Sequence, residues 1–268
     1  MTISGSNAEA STLTGDVIIH GYLVCSANGA LPGGTNRPGN LYVNGYGNLL
    51  DDDGFNGVFG VGCLYRAKDT IVVGADGSDG DFDGYFSNTT TLVKNGAGRQ
   101  RIGGACTHSY ATTVNAGVLQ VDGSFSASAV TVNAAGTLGG VGSFAQTVTV
   151  ADGAALEAGS GKIDYTVDHA LDFGNTLSLS GAATLRVHVY GKYALGNVNA
   201  AAVTGNGPLT IAMDSPNYHG EFLLLKSATA LPVALEFAKG ANCGALSLRA
   251  DNTELWVTRL NETVILLR

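Results

Sequence analysis

A segment rich in Asp and Gly, residues 76–84, offers the clearest candidate for metal chemistry in this sequence. Asp79, Asp81 and Asp83 follow one another in the D-x-D-x-D-G order with which a calcium-binding loop begins. The twelfth position counted from Asp79 is Thr90, where a calcium loop would place a bidentate Glu, and no helical pattern flanks the segment. We therefore predict a solvated turn with no metal site, and a weak calcium site at the three Asp residues is the alternative.

A second cluster, Asp51, Asp52 and Asp53, could supply carboxylates for cleaving a polysaccharide, and Arg37 and Arg66 lie near it in the sequence. Glycosidic cleavage needs two carboxyl groups about 5–9.5 Å apart on one face of the protein. Consecutive residues of a strand point to opposite faces, so the triplet alone places at most two carboxyl groups on one side. We predict that this segment is a turn or loop without a catalytic role.

Motifs for other reactions are missing from the sequence. No Ser lies in a G-x-S-x-G nucleophile elbow, and the spaced glycine pairs lack the third glycine of a dinucleotide-binding loop. No two histidines have the i, i+4 spacing of a helical zinc site. We predict a surface or turn position for each of the five: His20, His108, His169, His188 and His219. The sequence thus predicts no enzyme activity, no catalytic residue, no metal ligand and no cofactor.

Four cysteines, Cys25, Cys63, Cys106 and Cys243, lie far apart and form no C-x-x-C pair. This spacing gives no support to a zinc or thioredoxin-like site. We expect the cysteines to be small buried residues in the core. One disulfide, with Cys25 and Cys63 as the first candidates, is the alternative that their geometry must decide.

Composition restricts the partners. Charged residues are only 13 % of the chain, the net charge is −8, and Lys and Arg form no cluster. A protein binds nucleic acid by neutralising phosphates, so we expect no nucleic-acid partner. No apolar run approaches the roughly 18 residues that span a bilayer, so we expect no membrane insertion. The N-terminal residues 1–12 lack the regions of a signal peptide, and we expect the chain to be a fragment that begins at an added Met1.

The elements that must position these residues repeat along the middle of the chain. Val114, Val132 and Val150 recur at equal steps within similar Thr-Val strings, and Phe125 and Phe144 keep nearly the same step. A period near 20 residues is the signature of a solenoid. Within each repeat, apolar residues alternate with Thr and Asn, and Asn-Ala-Gly or Asp-Gly turns separate the strands.

Strands of this kind, with no helix-period segment between them, can coil so that each repeat stacks its Val and Leu residues on the next. We predict an all-β chain that forms a right-handed parallel β-helix with a C-terminal cap, as a single domain over residues 1–268. We expect N-terminal rungs over 1–70, regular repeats over 71–160, and C-terminal rungs with the cap over 161–268. The Gly-Ser-Gly string at 159–161 is the strongest candidate for a boundary, and we expect the solenoid to continue across it.

The central repeat has a recognisable order of residues. Lys-Asn-Gly-Ala-Gly at 94–98 is followed by Tyr110 and then by Thr-Thr-Val-Asn-Ala-Gly-Val-Leu-Gln-Val at 112–121. In this order the chain resembles the autotransporter-associated β-strand repeat, also called the passenger-associated transport repeat. The similarity covers residues 71–160 and, more loosely, 161–260.

The resemblance implies a bacterial protein that is secreted to the cell surface and serves as a stalk or adhesin-like passenger. From it we expect a non-catalytic, extracellular, monomeric β-helix that has a structural or adhesive role and contacts a host-surface protein or glycan. Two alternatives stay open. One is a carbohydrate-active β-helix, a polysaccharide lyase or glycoside hydrolase, that uses an Asp-lined groove. The other is a segment of a trimeric phage-type fibre.

Overall fold

The computed structural model describes residues 2–3, 15–25, 39–48, 53–55, 57–66, 70–88, 90–159, 170–190 and 196–259. Over these residues all regular structure is β, and no described segment forms a helix that could cross a membrane. The strands are β1 (Thr2–Ile3), β2 (Val17–Ile19), β3 (Tyr22–Cys25), β4 (Leu41–Val43), β5 (Tyr46–Asn48), β6 (Asp53–Phe55), β7 (Val58–Gly60), β8 (Cys63–Arg66), β9 (Thr70–Val73), β10 (Gly80–Phe82), β11 (Tyr85–Asn88), β12 (Thr91–Lys94), β13 (Arg99–Ile102), β14 (Ala105–Cys106), β15 (Thr112–Val121), β16 (Ser124–Phe125), β17 (Val130–Gly140), β18 (Ser143–Phe144), β19 (Val148–Val150), β20 (Ala155–Ala158), β21 (Ala170–Ser180), β22 (Ala183–Val187), β23 (Asn197–Met213), β24 (Gly220–Ser227), β25 (Leu235–Lys239), β26 (Ala245–Arg249) and β27 (Glu254–Arg259).

Successive turns of the chain stack as rungs of a coil. One rung runs through β13, β14 and the first half of β15, and the next runs through the second half of β15, β16 and the first half of β17. Each rung therefore places one strand on each of three faces. On the longest face, eleven strands from β2 to β25 pair in unbroken parallel order. At about 4.8 Å per rung, this face is roughly 50 Å long.

The repeated valines stack in the core. Val114 pairs with Val132, and Val132 pairs with Val150, so that their side chains form one column. All three side chains are fully buried. The predicted inward column is confirmed, because every second residue of each strand points to the same side and every rung keeps the register of the last.

Aromatic rings stack in the core behind the face formed by β16, β18 and the first half of β21. Phe125 and Phe144 pair in register, with ring centroids 5.6 Å apart, and Phe173 follows 5.4 Å beyond Phe144. These three rings are buried. Aromatic pairs at such separations attract each other in addition to their hydrophobic burial.

Outside, one face carries a ladder of hydroxyl groups, which we call the hydroxyl face. Register aligns the following residues in successive rungs: Thr113, Thr131, Thr149, Ser178 and Thr204. Beside this ladder, the Asn133 amide donates to Asn115 Oδ1 at 2.7 Å, and the Asn115 amide donates to Asn95 Oδ1 at 2.9 Å. Side-chain ladders of this kind hold neighbouring strands in register.

The C-terminal strands leave the parallel order. The end of β24 pairs in parallel with β23, but β24 also pairs antiparallel with β27, which in turn pairs antiparallel with β26. Leu255 and Val257 of this small sheet are buried against the last rungs. The sheet covers apolar surface that an open end would expose to strand addition, as expected of a cap.

The prediction of an all-β parallel β-helix with a C-terminal cap is confirmed. Within the N-terminal region predicted to form rungs, residues 1–70, segments 17–24 and 40–47 stack on each other through the pairs β2–β4 and β3–β5. Residues 160–161 of the Gly-Ser-Gly string, and residues 260–268 at the end of the predicted C-terminal region, lie outside the described residues.

Candidate functional site

The Asp-rich segment lies on the longest outer face, where β10, β13 and β15 stack. β10 pairs with β13, and β13 pairs with the second half of β15, so Asp81, Arg101 and Gln120 form one outward column. The same column continues to Glu157 and Arg186. We call this surface the charged face. Its outward side chains follow from the two-residue period of the strands.

Arg101 binds three carboxylates at once. Its Nη1 donates to Asp81 Oδ1 at 2.5 Å, its Nη2 donates to Asp83 Oδ1 at 2.5 Å, and its Nε donates to Asp122 Oδ2 at 2.8 Å. Asp81 lies in β10 and Asp83 directly follows β10, one rung before Arg101. Asp122 directly follows β15, one rung after Arg101. We name these four residues the Arg101 cluster.

Partial burial and the neighbouring carboxylates together determine the pKa of Arg101 in the cluster. The side chains of Arg101 and Asp122 are only 14 % and 8 % exposed. Partial burial disfavours the guanidinium cation, but Asp122, Asp81 and Asp83 outweigh this effect and raise the pKa of Arg101. Three carboxylates that already share one fixed cation are a poor ligand set for a calcium ion, which would have to displace that cation.

A second polar network crosses the next rungs of the charged face. Arg99 Nη1 donates to Gln120 Oε1 at 2.6 Å, and its Nη2 lies 3.2 Å from Glu157 Oε1. Gly139 stands between Gln120 and Glu157 in the outward column and has no side chain to block the guanidinium. The long reach of Arg99 over Gly139 ties three rungs together on this face.

The remaining acidic groups of the segment accept hydrogen bonds from backbone amides. Asp76 accepts hydrogen bonds from the Ser78 amide at 2.9 Å and the Ser78 hydroxyl at 2.6 Å. Burial alone would raise the pKa of Asp76, but these hydrogen bonds outweigh burial and lower it. Asp79 accepts a hydrogen bond from the Arg99 amide at 2.7 Å. Within the part of the chain that the structure describes, no group of three or more His, Cys, Asp or Glu residues is placed to hold a metal ion.

Two rings that no sequence pattern predicted lie in the same outward column as the Arg101 cluster. Tyr42 and Phe59 stack with centroids 5.1 Å apart, and Phe59 lies one rung before Asp81. Their spacing along the chain is irregular in these early rungs, so that no repeat period aligns them. Only the strand register shows that these rings lie next to the carboxylates of the Arg101 cluster.

The second acidic cluster is only partly visible. Asp51, Asp52 and Arg37 lie outside the described residues, and the backbones of Asp53 and Arg66 begin β6 and end β8. The prediction of a turn or loop is wrong for Asp53, whose backbone pairs with Ile71 as part of β6.

The histidine prediction is wrong for one residue. His108 is fully buried between Phe86 and Phe125, with ring centroids 6.2 and 4.9 Å away. The register aligns the small Cys106 with Phe125, and the His108 ring lies in the ring stack beside it. Burial there lowers the pKa of His108 to about 4. His20 is exposed, and His188 and His219 are half-buried, with His188 paired to Asp214; His169 lies outside the described residues.

Three cysteines are free thiols. Cys63 and Cys106 are buried, as predicted, and Cys243 is half-buried. The alternative disulfide between Cys25 and Cys63 is wrong, because Cys63 is a free thiol. Tyr46 pairs with Cys63 on one side and with Tyr22 on the other, so the strand of Tyr22 lies two rungs from Cys63. Cys25 follows Tyr22 by three residues on a strand two rungs away, which is too far for a disulfide.

The sequence patterns did not predict the burial of two other polar side chains, Lys94 and Gln100. The Lys94 ammonium donates to the carbonyl oxygens of Asn95, Gly96 and Ala116 at 2.5, 2.9 and 3.3 Å. The Gln100 amide bonds both backbone groups of Val58, at 3.0 and 2.9 Å. Both residues occupy positions where the alternation of the strand predicts an inward apolar residue, and this mismatch is the sequence signal that could have identified them.

Comparison with known proteins does not decide the family. No protein-family model matches this chain, and no curated protein matches it either. The resemblance of residues 94–121 to the autotransporter-associated β-strand repeat stays a prediction.

Proposed function

We propose that this chain is a non-catalytic, extracellular β-helix that serves as a surface stalk or binding module of a secreted bacterial protein. The observation that carries the proposal is the unbroken stacking of eleven parallel strands, with ladders of Thr, Ser and Asn on the outside. A rod of stacked rungs extends along one axis and presents long regular surfaces, which suits a spacer or an adhesive module.

The Arg101 cluster supports the non-catalytic part of the proposal. A catalytic carboxyl group must exchange a proton or attack the substrate. Asp81, Asp83 and Asp122 instead form ion pairs with one guanidinium, and Asp122 is almost buried. These pairs tie β10, β13 and the end of β15 together, which is a structural role.

The partner in this proposal is a host-surface protein or a glycan, bound by the monomeric chain outside the cell. Fluorescent beads coated with the full chain should adhere to cultured epithelial cells or to mucin-coated glass more strongly than albumin-coated beads. Analytical ultracentrifugation should give the monomer mass. Adhesion no stronger than that of albumin would contradict the adhesive role, and a stable trimer would favour a fibre segment instead.

One observation favours a carbohydrate-active enzyme as a second candidate. Asp81 and Asp83 both lie within hydrogen-bonding distance of Arg101 Nη1, at 2.5 and 2.7 Å, so their carboxylates are close enough for glycosidic cleavage. Tyr42 and Phe59 adjoin them. The purified chain, incubated with pectin, alginate and host glycans, should release neither reducing ends nor unsaturated products. Release that disappears in Asp81→Asn would establish the enzyme in place of the proposed function.

A further inference from the structure

A shallow depression of about 570 Å³ lies where the solenoid meets its cap. It is bordered by β21, β23 and β24. It lies on the third face of the coil, which carries neither the hydroxyl ladder nor the Arg101 cluster. Its volume falls within the roughly 300–1,000 Å³ that is usual for small-molecule sites, which often form where two structural units meet.

Three polar side chains form one wall of the depression. Asp172 pairs with Asn199, and Asn199 pairs with Lys226, so the three side chains project at successive rungs. The Asn199 amide donates to Asp172 Oδ1 at 2.8 Å, and the Lys226 ammonium lies 3.7 Å from Glu254 Oε1. Asp172 Oδ2, the Asn199 carbonyl oxygen and the remaining N–H groups of Asn199 and Lys226 therefore offer acceptors and donors along one line.

Small residues make the opening. The register between β21 and β23 shifts between Phe173 and Thr176, so that Gly174 bulges beside Ala201. Both residues are exposed and neither projects beyond a methyl group. Leu223 closes the far side, in the part of β24 that pairs with the cap before β24 joins β23 at Leu225. The result is a polar wall facing an apolar floor and wall.

We propose that this depression binds a neutral saccharide, a proposal that rests on the adhesive function above and supplies its ligand class. A sugar ring has hydroxyl groups at its edge and C–H groups on its faces, which match the polar wall and the apolar surface. Lys226 is paired with Glu254, and Asp172 has no cationic partner among the described residues that border the depression. The excess charge is negative, so a sugar that carries a carboxylate or sulfate is disfavoured.

The experiment uses the full chain on an array of neutral, sialylated and sulfated glycans, followed by calorimetry with the best neutral glycan. Ala201→Trp fills the depression and should weaken binding at least tenfold. Asn199→Ala removes one side chain of the polar wall and should also weaken it. Thr204→Trp, an equally large change on the hydroxyl face of the same strand, should leave binding unchanged; circular dichroism checks that each variant is folded.

Binding that survives Ala201→Trp, binding to anionic glycans alone, or no glycan binding by the wild type would each overturn the proposed site. Bead adhesion separates this failure from failure of the proposed function. Beads coated with Ala201→Trp that adhere as strongly as the wild type would leave the adhesive role intact and place it on another surface.

Discussion

His108 makes the stability of this protein depend on pH in a predictable way. Its side chain is fully buried among Phe rings, and Nε2 lies 2.8 Å from Thr112 Oγ1. Nδ1 is buried without a hydrogen-bond partner among the described residues. Among the described residues no carboxylate offsets the desolvation of the cation, so burial lowers the pKa of His108 from 6.5 to about 4.

The direction and size of the effect follow from linkage. Between pH 6.5 and 4 the unfolded chain binds a proton at His108 that the folded chain rejects, so the free energy of unfolding falls as the pH falls through this window. Above pH 7 both states are neutral and the effect disappears. The pKa difference corresponds to about 3 kcal/mol in total, of which roughly 2.5 kcal/mol is lost by pH 4.5.

Urea unfolding of the wild type and of His108→Phe at pH 7.5 and 4.5 measures the effect. Phe continues the aromatic column, and Thr112 Oγ1 keeps its contact with Ser128 Oγ at 2.9 Å, so the two proteins should differ by less than about 1.5 kcal/mol at pH 7.5. His108→Phe should lose roughly 2.5 kcal/mol less than the wild type on acidification. His20→Phe, at an exposed position, should behave as the wild type. Equal acid sensitivity in wild type and His108→Phe would refute the reasoning.

Three further predictions concern the core and the Arg101 cluster. Val132→Asp buries an unpaired charge in the valine column and should lower stability by several kcal/mol in thermal melts. The outward Thr131→Asp should change stability by less than about 1 kcal/mol. An unchanged melting midpoint in Val132→Asp would contradict the rung assignment. Calorimetry on EDTA-stripped protein should show no micromolar calcium binding, because Arg101 already occupies the carboxylates; a micromolar isotherm lost in Asp81→Ala would show that the segment is a metal site. Burial lowers the pKa of Lys94 from 10.5 to about 8, so between these pH values the unfolded chain binds a proton that the folded chain does not. The free energy of unfolding of the wild type should therefore rise relative to that of Lys94→Met from pH 7.5 to 9.5. A difference between the two proteins that does not change with pH would mean that the carbonyl partners keep the folded-state ammonium charged.

The fold was predictable from the sequence because the repeat encodes it at several levels. Alternation identified Val132 and Val150 as inward residues, and the equal step between them predicted the stacking that the register shows. The cap was predictable only as a change of composition. Its antiparallel pairing depends on β24 pairing with β27 from Gly220 onward and joining β23 only at Leu225, which no local pattern in the sequence marks.

The candidate sites were less predictable, because they depend on which rungs lie next to each other. Asp81 and Asp83 were identified, but their cation, Arg101, comes from the following rung and was not considered. Asp172 and Asn199 are 27 residues apart, across a segment whose length breaks the repeat period, so their hydrogen bond could not be anticipated. His108 was assigned to the surface because a polar residue was assumed to face solvent, whereas its place in the Phe column decides its burial.

Three of the buried polar side chains, Lys94, Gln100 and His108, follow one another through β12, β13 and the segment after β14. Together these segments make one turn of the coil, which we call the polar rung. The repeats that follow are so alike that apolar contacts alone hardly distinguish the native register from a slip by one rung. Lys94 needs the carbonyl of Ala116 one rung ahead, and Gln100 reaches Val58 past Gly80, where any Cβ would lie 2.1 Å from its amide oxygen. A slipped rung would leave these groups buried and unpaired, at a cost of about 1–3 kcal/mol each. This polar rung thus favours a single register, as polar core residues do in other repetitive structures. The combined Lys94→Met, Gln100→Leu and His108→Phe variant should stack in more than one register and show extra amide resonances in its NMR spectrum, and a single native-like set would contradict this role.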